Sequence, residues 1–230
     1  MFTGIIQGMA TAAEVEKKPG LTRFVLDMPE GFAQGVKHGA SIAVDGCCLT
    51  AAEIEGDEIT FDAMDETLRL TTIGNVEEGT VVNVERSFSA GDEIGGHIVS
   101  GHVTGKAKIV QVETPENNHV ITFQIAPAQM KYVFPKGFIA LDGASLTVVD
   151  VDKEAGTFTV WLIPETLKLT TFGFKKAGDE VNFEIDSRTQ TIVDTIEHVM
   201  RELLKPKASG KGTELGDIVQ NVLEERGVVK

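Results

Sequence analysis

"SIAVDGCCLT" at residues 41–50 and "FIALDGASLT" at residues 138–147 are one sentence written twice, 97 positions apart. Each copy is an apolar run, an Asp-Gly pair, and a second run. Asp-Gly between two such runs is a strong short-range signal for a β-hairpin with a two-residue turn. One letter changes where chemistry would be expected: Cys48 in the first copy is Ser145 in the second.

The repeat extends outward on both sides. "MFTGIIQGMA" from Met1 aligns with "IVSGHVTGKA" from Ile98, keeping Gly4/Gly101, Gly8/Gly105 and the hydroxyls of Thr3/Ser100. "ETLRLTTIG" from Glu66 aligns with "ETLKLTTFG" from Glu165, and "EGTVVNVE" from Glu78 with "AGDEVNFE" from Ala177, now 99 positions apart. Four blocks in the same order imply a duplicated domain, and the period is too long for a solenoid. We place the domains at about 1–96 and 97–187. "RFVLDM", "SIAVDG", "EITFDAM" and "VVNVERS" alternate with period two and are rich in β-branched and aromatic residues. Asp45-Gly46, Gly56-Asp57 and Asp142-Gly143 separate such runs. Short strands at this spacing predict a small closed barrel in each copy rather than a parallel sheet. Short helices are expected near Pro29 ("PEGFAQGV") and Pro127 ("PAQMKYVF").

After the second copy, "QTIVDTIEHVMRELL" sets Ile192, Ile196, Val199 and Leu203 at helical spacing. This predicts a helix over 188–204, whose apolar stripe is covered either by its own barrel or by other subunits. "KPKASGKG" reads as a flexible linker. "TELGDIVQNVLEERG" reads as disorder or as one more short helix with Leu215, Ile218 and Val222 on one side. The tail 205–230 is therefore expected to be flexible or partly helical.

The 230 residues are 42% hydrophobic and 24% charged, with a net charge of −14. An acidic chain is a poor partner for nucleic acid or an anionic membrane surface. No apolar run is long enough to span a bilayer. The start has neither a basic segment nor a long apolar one, so no secretory leader is expected. Cys47 and Cys48, the two cysteines, are adjacent, where a bridge would be strained; a reduced, cytoplasmic protein is expected.

The usual cofactor and metal signatures are missing: no GxGxxG after a strand, no GxxxxGK[ST], CxxC, HExxH or GxSxG. His97 and His102 are five apart and would face opposite ways on a strand, so no metal site is expected. What remains is a pair of small-molecule sites. Cys48 and Thr50 share one strand face, Ser145 and Thr147 repeat them, and the loops 62–67 and 161–166 correspond. The competing reading makes Cys48 and Ser145 small residues of the barrel interiors. Three differences accompany the shared frame: Cys48 against Ser145, Ile5 against His102, Ser87 against Asp186. Two sites with unequal roles would look like this.

"MFTGI", "DGCCLT", "GGHIVSGHV", "DGASLTV" and "IPETLKLTT", in this order, resemble the riboflavin synthase alpha-chain family, from Met1 to about residue 200. The resemblance implies a mainly β fold: two homologous six-stranded antiparallel Greek-key barrels plus a C-terminal α-helix that joins subunits into a homotrimer. It implies a transferase that turns two 6,7-dimethyl-8-ribityllumazine molecules into riboflavin and 5-amino-6-ribitylaminouracil by moving a four-carbon unit, with no cofactor and no metal. Association with lumazine synthase is a possible partnership. Each active site would lie between the first barrel of one subunit and the second barrel of its neighbour, with Phe2 near the interface. Contacts in the first barrel would be Gly4, Ile5, Ile6, Cys48, Leu49, Thr50, Asp62, Ala63, Met64, Asp65, Glu66 and Thr67. In the second they would be Gly101, His102, Val103, Ser145, Leu146, Thr147, Trp161, Leu162, Ile163, Pro164, Glu165 and Thr166, with Lys136 reaching across. Cys48, His102, Ser145 and Asp186 would be the catalytic groups. The rival is a non-catalytic lumazine- or flavin-binding antenna protein of the same fold.

Overall fold

The computed structural model describes residues 1–116, 118–204, 218 and 221–224, which fall into two units divided at Asp186/Ser187. In the first unit, β1 (Gly8–Lys18), β2 (Leu21–Asp27), β3 (Ser41–Val44), β4 (Cys47–Glu55), β5 (Glu58–Met64) and β6 (Val81–Arg86) close into a barrel of order β1-β2-β5-β4-β3-β6. Here α1 (Asp65–Leu70) follows β5. The second copy repeats every element: β7 (Gly105–Glu113), β8 (His119–Gln124), β9 (Phe138–Leu141), β10 (Ala144–Asp152), β11 (Thr157–Leu162), α2 (Pro164–Leu169) and β12 (Glu180–Ile185). Its strands close in the equivalent order, and all pairings are antiparallel. The two six-stranded barrels expected from the resemblance are present. Closure leaves no open sheet edge for another chain to pair with.

The turn chemistry follows the sequence. Asp45 and Gly46 both take positive φ (42° and 76°), as do Asp142 and Gly143 (40° and 82°), the geometry of a two-residue hairpin turn. The change of offset from 97 to 99 falls at one turn. Gly56-Asp57 connects β4 to β5, whereas residues 153–156 connect β10 to β11. There the Asp152 carboxylate accepts the backbone N–H groups of Glu154 (3.0 Å) and Ala155 (2.9 Å). Bulges recur in register, between Ala12/Glu14 and between Ile109/Gln111, bending the first strand of each barrel. The helix expected near Pro29 is a run of turns: Gly31 and Gly35 both take left-handed φ (77° and 74°), which ends any helix. The one near Pro127 forms as a 3₁₀ turn, Pro127–Tyr132.

Each barrel has its own core. Phe24, Leu26, Ile42, Ile59, Phe61 and Val84 fill the first; Ile109, Ile121, Phe123, Phe158, Phe172 and Leu141 fill the second. Each core also contains one residue from the other copy's leading segment. Ile6 is part of the second core, and Val103 of the first.

Between the barrels the chain meets itself across a local two-fold axis. Phe2 and Val99, equivalent positions of the repeat, form an antiparallel bridge, with Phe2 N donating to Val99 O (2.8 Å) and Val99 N to Phe2 O (3.0 Å). Equivalent residues in mutual contact are the mark of an isologous interface. Phe2 is fully buried here, inside its own chain.

The second unit contains α3 (Ser187–Leu204), so the helix predicted over 188–204 forms. Ile218 and residues 221–224 are helical; the expected linker and Leu215 lie outside the described residues. Among the described residues, no helix is long and apolar enough to cross a membrane.

Candidate functional site

Two glutamates on equivalent strands aim the leading segments. Glu85 on β6 accepts Thr3 N (2.6 Å), Thr3 Oγ1 (2.7 Å) and Gly4 N (3.1 Å). Glu184 on β12 accepts Ser100 N (2.7 Å) and Gly101 N (2.9 Å). Both carboxylates are buried. Burial pushes the Glu85 carboxyl above its usual range, though the hydrogen bonds it accepts pull the other way. So held, each leading segment crosses to the other barrel. Ser145 N donates to Gly4 O (2.8 Å), and Cys48 N donates to Gly101 O (2.9 Å). The approach requires glycine. Gly4 and Gly101 have φ of 74° and 84°, and a Cβ on either would fall 2.5 Å from the Cβ of Ser145 or of Cys48.

This crossing rearranges the expected contact sets. Gly4, Ile5 and Ile6 lie against Ser145 of the second barrel, not against Cys48. Gly101 lies against Cys48, and Val103 in the core of the first barrel, not against Ser145. The Ser145 strand and the Cys48 strand are therefore each met by the leading segment of the other copy. Sequence equivalence alone is silent on this, because an exchanged and an unexchanged arrangement carry the same repeat.

The Ser145 pocket is a cleft of about 200 Å³ between Gly4–Ile6, Ala144–Leu146 and the start of α2, with Ile163, Glu165, Thr166, Leu169 and Thr170 on its wall. Leu49 and Leu146 belong to the barrel cores, so Cys48 and Ser145, one residue earlier, face out of the barrels. They are not interior filler. Thr50 and Thr147 are exposed on the same outward faces.

Other expected residues divide by exposure. Ala63 and Leu162 are buried core residues and offer a ligand only backbone. Met64, Trp161 and Ile163 are exposed large apolar side chains, as is Ile5. Asp65, Glu66, Pro164 and Glu165 are exposed at the first turns of α1 and α2, and Thr67 is partly exposed. Asp62 is held by Arg23 through two hydrogen bonds of 2.9 Å, which pull its carboxyl below the usual range. His102 is exposed, its backbone N donating to Ser100 Oγ (3.1 Å). Lys136 is exposed in the turn before β9 at φ 65°, and it is not among the residues of the Ser145 cleft. Asp186 is partly buried just after β12. Burial pushes the Cys47 thiol up to about 12, which leaves Cys48 as the accessible sulfur.

Three groups escape a reading based on spacing. His97, which its spacing from His102 presents only as a poor metal ligand, places Nδ1 2.6 Å from Ser145 Oγ and stacks its ring on Phe138 at 5.3 Å. Asn83 and Asn182 bridge the barrels. Asn83 Nδ2 donates to Asp142 O (3.0 Å) and Asn182 Nδ2 to Asp45 O (2.8 Å), while their Oδ1 atoms accept Thr171 N (2.8 Å) and Thr72 N (2.7 Å). Lys175 reaches the fully buried Asp142 at 3.2 Å. The shared "VNVE" and "VNFE" blocks were the available signal for the asparagines and the two clamping glutamates. Among the described residues, no group of three or more His, Cys, Asp or Glu is placed to hold a metal.

The lumazine binding domain family matches this chain twice, over residues 3–87 and 100–186. The riboflavin synthase of Escherichia coli (strain K12) is 48% identical over 201 residues, 87% of this chain and 93% of that protein. Those of Buchnera aphidicola subsp. Schizaphis graminum and Chlamydia pneumoniae are 41% and 43% identical over 88% and 87% of this chain, and over 97% of each relative. The structure of LumP complexed with riboflavin shares the fold at a TM-score of 0.75 and 24% identity, over 81% of this chain and all of that one. With two lumazine binding domains and this identity to curated enzymes over nearly their full length, the chain belongs to the riboflavin synthase family, and it is a transferase.

Proposed function

We propose that the chain converts two molecules of 6,7-dimethyl-8-ribityllumazine into riboflavin and 5-amino-6-ribitylaminouracil, moving four carbons from one to the other. The observation that carries this reading is the pair of equivalent crossings, Gly4 onto Ser145, where a cleft is formed, and Gly101 onto Cys48, so that the same frame presents a hydroxyl in one copy and a thiol in the other. A reaction that uses the same molecule twice needs two similar pockets; one that makes one molecule donor and the other acceptor needs them to differ.

The ligand contacts would be the outward residues named above and the backbone of 62–67 and 161–166. The lumazine C7 methyl is acidic because its anion delocalises into the ring system, so a strong base is not required. The main contribution would be holding two rings in reacting orientation, worth up to roughly 7–11 kcal/mol. Donors facing the anionic ring add to it. His102, exposed on the leading segment of the second copy, is assigned proton transfer. The Cys48 thiol, or a water beside it, is assigned addition at C7 of the acceptor. Ser145 and Asp186 would polarise the partner ring and move protons, and Lys136 would contact the ligand. No cofactor is assigned.

We further take the domains as about 1–96 and 97–187, with the 188–204 helix joining a homotrimer. The support for the last is the stripe of Ile192, Ile196 and Val199 at helical spacing. The active site would then pair the first barrel of one subunit with the second barrel of the next, in the cytoplasm, with lumazine synthase as a possible partner.

The deciding experiment mixes the chain with 6,7-dimethyl-8-ribityllumazine and follows both compounds by absorbance. One riboflavin formed per two lumazines consumed is the expected result. Stable bound lumazine without riboflavin would overturn it in favour of an antenna-type binding protein. A Cys48→Ser chain with an unchanged rate would remove the thiol from the addition step.

A further inference from the structure

The two copies differ by more than sulfur for oxygen. The Ser145 hydroxyl is fixed by its surroundings, and the imidazole beside it stacks on a ring that the first copy lacks.

His97 Nδ1 lies 2.6 Å from Ser145 Oγ. The imidazole is itself held: it is 8% exposed, and it stacks on Phe138 with an interplanar angle of 18°. The backbone before it is pressed on the same serine. A Cβ at Gly96 would stand 2.6 Å from Ser145 Cβ and 2.9 Å from Oγ, so the chain at 96–97 reaches Ser145 only because residue 96 is glycine. Ser145 N is meanwhile tied to Gly4 O at 2.8 Å. The serine thus faces its cleft with backbone, Cβ and hydroxyl all constrained.

The first copy lacks this arrangement. The ring on which His97 stacks marks the difference, under the offset of 97 that relates Ser145 to Cys48. Phe138 corresponds to Ser41. The ring that holds the imidazole is therefore confined to the second copy.

A serine hydroxyl is a rotor that donates once and accepts twice. A neighbour at 2.6 Å sets which of these it offers the cleft. If Nδ1 accepts, the hydroxyl proton is engaged and lone pairs face the cleft; if Nδ1–H donates, the hydroxyl proton is turned into it. We propose that His97 is a positioning residue for Ser145, fixing the direction of its hydroxyl and so the hydrogen-bonding character of the second copy's cleft. The inference rests on the reading of the Ser145 cleft as a lumazine site.

The test is a double-mutant cycle on the full chain. His97→Phe keeps a ring on Phe138 and removes the nitrogen; Ser145→Ala removes the hydroxyl; the third protein carries both. For each, kcat and KM are measured for riboflavin formation from 6,7-dimethyl-8-ribityllumazine, and the Kd of riboflavin from fluorescence quenching. His97→Phe is expected to lower kcat/KM about tenfold, the value of one hydrogen bond, and Ser145→Ala by a similar factor. The double variant is expected to lie within about twofold of Ser145→Ala, because His97 acts only through that hydroxyl. His97→Asn, which returns an amide near the serine, should recover part of the loss, and it replaces His97→Phe if that protein fails to fold. Wild-type kinetics in His97→Phe, or an equal loss with and without Ser145, would overturn the proposal. A silent Ser145→Ala, unchanged in rate and in riboflavin Kd, would overturn the site reading and the proposal with it. A damaging Ser145→Ala beside a silent His97→Phe would remove His97 alone.

Discussion

The first and second barrels share strand order, bulges, turn geometry and clamping glutamates, yet they are unequal at the axis between them. Phe2 meets its own equivalent, Val99, so the larger side chain there comes from the first copy. The buried Asp45 and Asp142 are equivalent, but Lys175 serves them both from the second copy, where the first has Val76. Duplication supplied a symmetric frame, and single substitutions along the axis then made its halves different. A symmetric pair of buried carboxylates would repel; one lysine between them removes the need for two.

The comparison breaks most severely at Phe2. Phe2→Ala should cost about 3–5 kcal/mol of stability, since the ring is fully buried against Ala43, Ala140 and Val99. Val99→Ala, at the equivalent place, should cost clearly less, and thermal unfolding of the two variants tests the ranking.

Next in size is Lys175→Met. Removing the cation from a fully buried Asp142 should cost about 3 kcal/mol in chemical denaturation. Adding Asp142→Asn should return most of it, because the penalty is the uncompensated charge rather than the loss of packing.

Asp45→Asn sharpens the same comparison through pH. Burial, then the neighbouring Asp142, raise the Asp45 carboxyl well above its usual range, although Lys175 draws it down. The folded protein therefore holds this proton more tightly than the unfolded chain. The stability this contributes is complete below the unfolded pKa and is lost as pH rises through the folded one. Asparagine keeps an acceptor for Asn83 N, now 2.7 Å from Asp45 Oδ1, and does not titrate. The variant should match the wild type in acid and exceed it in Tm as pH rises above 4, by a margin smaller than the Lys175 effect. A margin that shrinks with rising pH would reverse the assignment.

The smallest effect is expected where the copies agree at the surface. Arg69–Glu66 and Lys168–Glu165 are exposed pairs on α1 and α2. Exposed pairs are screened and hold long side chains at an entropic cost. Arg69→Ala and Lys168→Ala should leave Tm unchanged within error.

Much of this was legible in the residues. The repeat gave the two domains, and the Asp-Gly pairs gave hairpins whose turns have the expected positive φ. That Cys48 shares a face with Thr50, and Ser145 with Thr147, was legible from the strand period, but that this face is the outward one follows from the leucines in the cores. The rest depended on contacts between segments far apart in sequence. Repetition tells which residues are equivalent, not whether equivalent segments stay with their own barrel or trade places, so Gly4 was expected beside Cys48 and lies beside Ser145. His97 was weighed against His102 because both are histidines, whereas its neighbour in space is a serine 48 positions later. The helix expected at Pro29 failed for a local reason, two glycines taking the left-handed conformation.

The traded leading segments have a consequence for how the protein is made. A chain leaving the ribosome exposes its first barrel before the second exists. That barrel's core has a place for Val103, and Ile6 must wait for strands that end at Ile185. The first barrel can thus be finished soon after Val103 emerges, while its own leading segment stays undocked until the second barrel closes. Through that interval Ile6 is an apolar tether that fits the slot of the second barrel, and the second barrel of a neighbouring nascent copy could take it.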